Sequence, residues 1–219
     1  MIDPVKISNF NLTSEELEEN ILFWVTAAGK NGVTSAKLLD VLLTRLKWVA
    51  NNDSLAPFEL IRTVPELPIL VLALKTSGIG NYTMKGRAFW ELAYSNLNLR
   101  TCTVNDLLKI HGIGAKTARG FVVHTRPNQR YAVIDTHLLK FFRDQGIMVP
   151  KSTPSEGKRY RELEKIFLDI CDKYAVLPAD LDLAIWNHYR LKPSFPFYLE
   201  TFTNDYHQST ICTSCDGRG

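Results

Sequence analysis

The feature that most constrains this chain is the tetrapeptide His111-Gly112-Ile113-Gly114, set between two helical stretches. Thr103 reads as the cap of the first helix, and Ala115 opens the second. Gly112 and Gly114 allow positive φ and carry no Cβ, so they predict a tight hairpin that another backbone can approach closely. The hairpin delivers the chain to a helix N-terminus. Free N–H groups and the helix dipole there favour an anion, which makes a phosphate site. Lys116 stands in the first turn of that helix. Beyond a short polar loop comes Val133-Ile134-Asp135-Thr136-His137. A carboxylate next to Val133 and Ile134 is expected to be half buried, and it needs a reason to be there.

The remainder reads as helix. Thr13-Ser14-Glu15-Glu16 is a capping box, opening a helix through Leu17, Ile21, Leu22 and Trp24 that breaks at Ala27–Gly32. Ser35–Val49 carries apolar residues at helical spacing. Pro57–Ile61 and Leu67–Lys75 predict short helices. Ser77–Tyr82 makes a tight loop before a helix over Met84–Leu97. Helices follow over Thr136–Gln145, Lys158–Lys173 and Pro178–Tyr189, the last begun by Pro-Ala-Asp. Only Tyr131–Ile134 hints at a strand.

Bulk properties narrow the function classes. With 45% hydrophobic and 11% aromatic residues the chain is a folded globule rather than a disordered one. A net charge of +3 permits nucleic-acid binding but requires any basic surface to be local. The longest apolar runs, such as Pro68–Leu74, are too short to span a bilayer. Residues 1–11 lack the pattern of a secretory signal. The four cysteines, Cys102, Cys171, Cys212 and Cys215, form no paired framework. A reducing cytoplasm is the expected compartment.

Hairpin, Lys116 and Asp135 together resemble the helix-hairpin-helix DNA glycosylases of the endonuclease III type. The run ILFWVTAAGKNGVTSAKLLDVLLTRL is similar to that family's early helix-loop-helix. LALKTSGIGNYTMKGRAFWEL is similar to the following segment, and DLDLAIW to a C-terminal element of the archaeal-type 8-oxoguanine glycosylases. The resemblance implies an all-α fold of two helical lobes with the active site in the cleft between them. One lobe would run over 24–126. The other would combine 1–23 with 127–205, leaving 206–219 as a C-terminal tail. The implied partner is double-stranded DNA containing a modified base or an abasic site, bound by a monomer.

The resemblance also assigns roles. Lys116 matches the family's lysine nucleophile, and Asp135 the aspartate that supports it. A neutral amine at Lys116 would attack C1′ of the sugar and form a Schiff base, which would also enable AP-lyase cleavage. Asp135 would share the proton and stabilise the developing cation. Gly112, Ile113, Gly114, Thr117 and His137 are expected on the DNA backbone. Asp182 and Trp186, one helical turn apart, would receive the extruded base. Lys30 and Asn31 would fill the vacated duplex space, and Ile79, Asn81 and Tyr82 would wedge the DNA.

Each assignment has a plainer alternative. Lys116 is equally a phosphate-binding cation, Asp135 and His137 helix-start residues, and Trp186 a core residue on an amphipathic helix. The whole hairpin also fits a DNA-binding module that does no chemistry. A different modified base, including a bulky modified cytosine of the phage type, would suit the same machinery. Many endonuclease III relatives end in four cysteines around an iron–sulfur cluster. Here Cys212 and Cys215 supply only two, so no cluster and no other cofactor is expected. As half a zinc site the pair lacks two ligands, with His207 the nearby candidate, so the stretch reads as a polar tail and no metal is assigned.

Overall fold

The computed structural model describes the backbone of residues 1–215 and the side chains of residues 1–208. The helices are α1 (Ser14–Ala27), α2 (Gly32–Ala50), α3 (Pro57–Arg62), α4 (Leu67–Thr76), α5 (Tyr82–Tyr94), α6 (Val104–Leu107), α7 (Ala115–Thr125), α8 (Thr136–Asp144), α9 (Lys158–Lys173), α10 (Pro178–Tyr189) and α11 (Leu199–Cys215). A short 3₁₀ turn over Pro4–Lys6 precedes them. No strand occurs among the described residues, so the all-α expectation holds. The chain divides into two compact units, one of Met1–Gln129 and one beginning at Arg130.

The first unit is built around α1. Its capping box forms as expected, with Thr13 Oγ1 accepting from the Glu16 N–H at 3.2 Å and Glu16 Oε2 accepting from the Thr13 N–H at 2.7 Å. Leu17, Ile21, Leu22, Phe23 and Val25 are all buried. The second half of α1, from Ile21 to Val25, is apolar all round and belongs inside, and α1 packs against α2, α3, α5 and α7. Full burial of each such side chain contributes roughly 1.5–3 kcal/mol.

Residues 1–23 cluster within the first unit. Trp24 stacks on His124 of α7 at 5.5 Å between ring centroids. Ser8 Oγ lies 2.7 Å from His124 Nδ1, and the Asn9 N–H donates to the His124 carbonyl. The N-terminal segment is thus tied to α7 directly as well as through α1.

In the second unit α8 buries Leu138, Leu139, Phe141 and Phe142, and α9 buries Tyr160, Leu163, Phe167 and Cys171. Helix α10 packs on both. At its end the Tyr189 hydroxyl donates to Asp144 Oδ2 at 2.6 Å and accepts from the Phe197 N–H at 3.1 Å. Burial, reinforced by the Asp144 carboxylate, pushes the Tyr189 phenol above its ordinary range. Helix α11 is absent from the sequence reading, which leaves 206–219 as tail. Tyr206 donates to Asp180 Oδ2 at 2.9 Å and His207 Nε2 lies 2.9 Å from the Tyr174 carbonyl, so the start of that run docks on the unit. Residues 216–219 and the side chains of Cys212 and Cys215 lie outside the described residues.

Candidate functional site

The hairpin between α6 and α7 forms where the two glycines predict it. Gly112 takes φ +82°. A Cβ there would stand 2.9 Å from Met84 Cγ and 3.2 Å from the Met84 carbonyl oxygen, so the position needs glycine twice over. Gly114 differs from expectation: its φ is −97°, and it serves as the N-cap of α7 with no side chain to close the helix end. A Cβ on Gly114 would meet nothing within 4 Å. The α7 N-terminus is therefore sterically open at its cap. Ile113 is buried and anchors the turn, leaving only its backbone for contact. The Thr117 side chain is likewise buried, so Thr117 is limited to a backbone role. Lys116, in the same turn, is partly exposed.

Helix α5 holds this hairpin from below. The His111 N–H donates to Glu91 Oε2 at 2.7 Å, and Arg87 bridges to Glu91 Oε1 at 2.8 Å. The bond from His111, together with Arg87, draws the Glu91 carboxyl below the usual range. Neither Glu91 nor its partnership carries a local sequence signal, because the two residues lie twenty positions apart, one in α5 and one in the hairpin.

The two DNA-facing loops of the resemblance meet in this unit. The Lys30 stem lies over Gly80, where a Cβ would come within 2.9 Å of Lys30 Cε. Lys30 is exposed. Asn31 caps α2 through Oδ1, which accepts from the Thr34 N–H at 3.0 Å, so its carboxamide already has structural work. Ile79 is only 2% exposed and roots its loop in the core, so it presents no wedge. Asn81 is exposed, with φ +55° and no capping bond from its side chain. Tyr82 is partly exposed, and Lys75 Nζ sits 5.5 Å from its ring centroid.

Lys85 supports both loops and was not singled out by sequence reasoning. It is 1% exposed, and its Nζ donates to the Thr26 carbonyl at 2.6 Å, near the C-terminal end of α1. Burial pushes its pKa down to about 8, and the like charge of Lys30 adds to the shift. A signal for it did exist. Lys85 precedes Ala88, Phe89 and Leu92 on the buried stripe of α5, which is an inside position for a cation.

In the second unit Asp135 is the N-cap of α8. Its Oδ1 accepts from the His137 N–H at 2.8 Å and from the Leu138 N–H at 2.9 Å. The capping alternative for Asp135 is therefore realised, and both capping bonds fall on one oxygen. The His137 ring meets Trp186 edge to face, with centroids 6.3 Å apart. Trp186 is only partly buried, unlike a core tryptophan, and Arg190 lies 5.4 Å over its ring. Asp182, one turn earlier on α10, is buried. Asp135, His137 and Trp186 thus form one neighbourhood on the α8 start and α10.

A glycine-turned helix pair presenting a lysine, followed by an aspartate capping the next helix, is the arrangement that the resemblance to the helix-hairpin-helix DNA glycosylases leads one to expect. Residues 80–176 match the family model described as 8-oxoguanine DNA glycosylase. The matched region includes the hairpin, Lys116, Asp135 and His137. It excludes Lys30, Ile79, Asp182 and Trp186. Among solved structures, the 8-oxoguanine DNA glycosylase of Thermotoga maritima aligns with TM-score 0.62 and 18% identity, over 85% of this chain and 86% of that one. The 8-oxoguanine glycosylase/lyase of Methanocaldococcus jannaschii, in complex with a 15mer DNA containing 8-oxoguanine, aligns with TM-score 0.59 and 20% identity, over 85% of this chain and 87% of that one. At such identities the likeness is one of fold. No helix among the described residues is long and apolar enough to cross a membrane.

Proposed function

We propose that this chain is a bifunctional DNA glycosylase/AP lyase that acts on a modified base, 8-oxoguanine first, extruded from duplex DNA. The observation that carries this reading is the match over 80–176, which takes in the hairpin, Lys116 and Asp135 in one continuous region. The Gly112–Gly114 hairpin and the first turn of α7 grip a phosphate through backbone N–H groups. The Lys116 amine attacks C1′, the glycosidic C–N bond breaks, and the base leaves with the bonding pair. Asp135 takes up the proton that the amine gives up and returns protons in later steps. Cleavage of the C1′–O4′ bond, with O4′ protonated and kept on C4′ as a hydroxyl, opens the ring and completes the Schiff base, and β-elimination then cuts the strand 3′ to the site. His137 adds a phosphate contact. Trp186 stacks on the extruded base and Asp182 addresses its polar edge. Lys30 and Asn81 stand in the duplex, with Asn31 and Tyr82 flanking them.

Both groups that the reaction requires are side chains of the chain itself, so the proposed chemistry needs no iron–sulfur cluster or other cofactor. The enzyme would work as a monomer in the cytoplasm, on the nucleoid in a prokaryotic cell. Borohydride reduction in the presence of abasic-site duplex tests the mechanism. The expected result is a covalent protein–DNA adduct that disappears in Lys116→Ala. No adduct, or an adduct that survives the substitution, would overturn the nucleophile. Excision on a panel of lesion duplexes tests the base. Release of another modified base with 8-oxoguanine DNA untouched would overturn the choice of 8-oxoguanine.

A further inference from the structure

The chain from Ala132 to Ile134 is buried, with Ala132 and Ile134 fully so. It is a run between helices, and no strand lies beside it. Its backbone N–H and C=O groups must nonetheless find partners, because buried unpaired peptide groups cost about as much as a lost hydrogen bond. Helix α9 provides them through two side chains. The Tyr160 hydroxyl donates to the Ala132 carbonyl at 2.8 Å and accepts from the Ile134 N–H at 3.1 Å. Glu164 Oε1 accepts from the Ala132 N–H at 3.0 Å. Tyr160 and Glu164 are one turn apart and so share a face of α9. Tyr160 is 0% exposed, so no bulk water substitutes for its hydroxyl.

Asp135 follows this clamp immediately. Upstream, the backbone is fixed at Ile134 by Tyr160. Downstream, the side chain is fixed by the two capping bonds to the start of α8. We propose that Tyr160 and Glu164 are positioning residues for Asp135: they hold Ala132–Ile134 as a neighbouring strand would, and so set where the Asp135 carboxylate stands. This rests on the reading of Asp135 as the acid–base group. A displaced catalytic group loses rate steeply, with an error of about 1 Å costing on the order of a hundredfold. Tyr160→Phe keeps the ring in the core and removes only the hydroxyl. The clamp then loses two of its three bonds, while the capping bonds of Asp135 are kept.

The experiment measures single-turnover cleavage of abasic-site duplex, which does not depend on which base is excised. It compares Tyr160→Phe, Glu164→Gln, Glu164→Leu and Asp135→Asn. Binding to the same duplex and thermal melting are recorded in parallel. The expected result for Tyr160→Phe is a folded protein with wild-type affinity, a rate constant lowered about ten- to a hundredfold, and a displaced acidic limb of the pH–rate profile. Glu164→Gln keeps an acceptor for Ala132 and is expected near wild type, while Glu164→Leu falls in the same direction as Tyr160→Phe. Wild-type rate and pH profile in Tyr160→Phe, with Asp135→Asn inactive, would overturn the proposal alone. A rate loss that merely tracks the folded fraction would also overturn it. Full activity in Asp135→Asn would instead overturn the underlying reading of Asp135, and this proposal with it. If Tyr160→Phe fails to fold, the Glu164→Gln and Glu164→Leu pair decides: equal rates sink the proposal, and a loss confined to leucine supports it.

Discussion

Replacing Lys85 with methionine tests the account of the loop platform. The wild-type lysine is 1% exposed, and its ammonium faces the Thr26 carbonyl. Burial foremost, then the nearby Lys30, pushes its pKa from 10.5 to about 8. A folded-state pKa below the unfolded value has a definite sign. Between about pH 8 and 10.5 the unfolded chain binds a proton that the folded chain has released, so stability rises with pH across that window. Below about pH 8 both states hold the proton, and the buried charge costs its full penalty. At about 1.4 kcal/mol per pKa unit, that penalty is at most about 3 kcal/mol. From about pH 7.5 to 9.5 roughly 2 kcal/mol of it is relieved. Methionine fills a similar volume and does not titrate, and every other ionisable group is common to both proteins. Urea unfolding of wild type and Lys85→Met at the two pH values should therefore show the wild type gaining about 2 kcal/mol on the variant. A stability gap that is the same at both pH values would refute the burial argument.

Three further outcomes follow from the geometry. Gly112→Ala forces an L-residue into φ +82° and a Cβ within 2.9 Å of Met84 Cγ, so duplex binding should weaken and the melting temperature fall. The backbone conformation alone costs about 1–2 kcal/mol, and unchanged binding would show that the hairpin does not carry the grip. Trp186→Ala should lose about 1–3 kcal/mol of base stacking, roughly tenfold or more in base release. Cleavage of a preformed abasic site should be retained, so equal losses in both assays would remove Trp186 from the base pocket. Glu91 is drawn down chiefly by the His111 N–H, so its contribution is present at neutral pH and is lost as pH falls through the lowered pKa. Glu91→Ala should accordingly weaken duplex binding at neutral pH and abolish its Glu91-dependent loss in acid, read by fluorescence anisotropy across pH.

Much of the fold was legible because helix ends are written locally. The capping box at Thr13–Glu16, the cap at Thr103, the proline start of α10 and the buried stripe of α9 each lie within a few consecutive residues. The elements that escaped notice depend on partners elsewhere. Helix α11 has a weak apolar pattern and gains bonds from Tyr206 to Asp180 and from His207 to Tyr174. The hint of a strand at Tyr131–Ile134 fell on a run without regular structure whose backbone partners are a pair of helix side chains, which no two-residue period reveals. The apolar second half of α1 packs against α2, α3, α5 and α7, and an all-round apolar stretch names none of these neighbours in advance.

The candidate site divides along the same line. The groups proposed to do chemistry sit at helix starts, where a glycine hairpin, a first-turn lysine or an N-cap aspartate is encoded in a handful of adjacent residues. The groups that aim and support them do so through contacts between remote segments: Lys30 over Gly80, Lys85 on Thr26, Glu91 under His111, Tyr160 on Ile134, and His137 against Trp186. Reaction type is constrained by the first kind of residue and substrate choice by the second. Ile79 shows how the difference arises. Its place in a loop suggested exposure, but hydrophobic burial drew it into the core, and the exposed Asn81 and partly exposed Tyr82 were left to face outward. The same logic makes substitutions at remote-contact positions such as Lys30 and Trp186 the informative ones for base and opposite-strand preference. Under the proposed function, substitutions at Lys116 and Asp135 report on the chemistry common to every base.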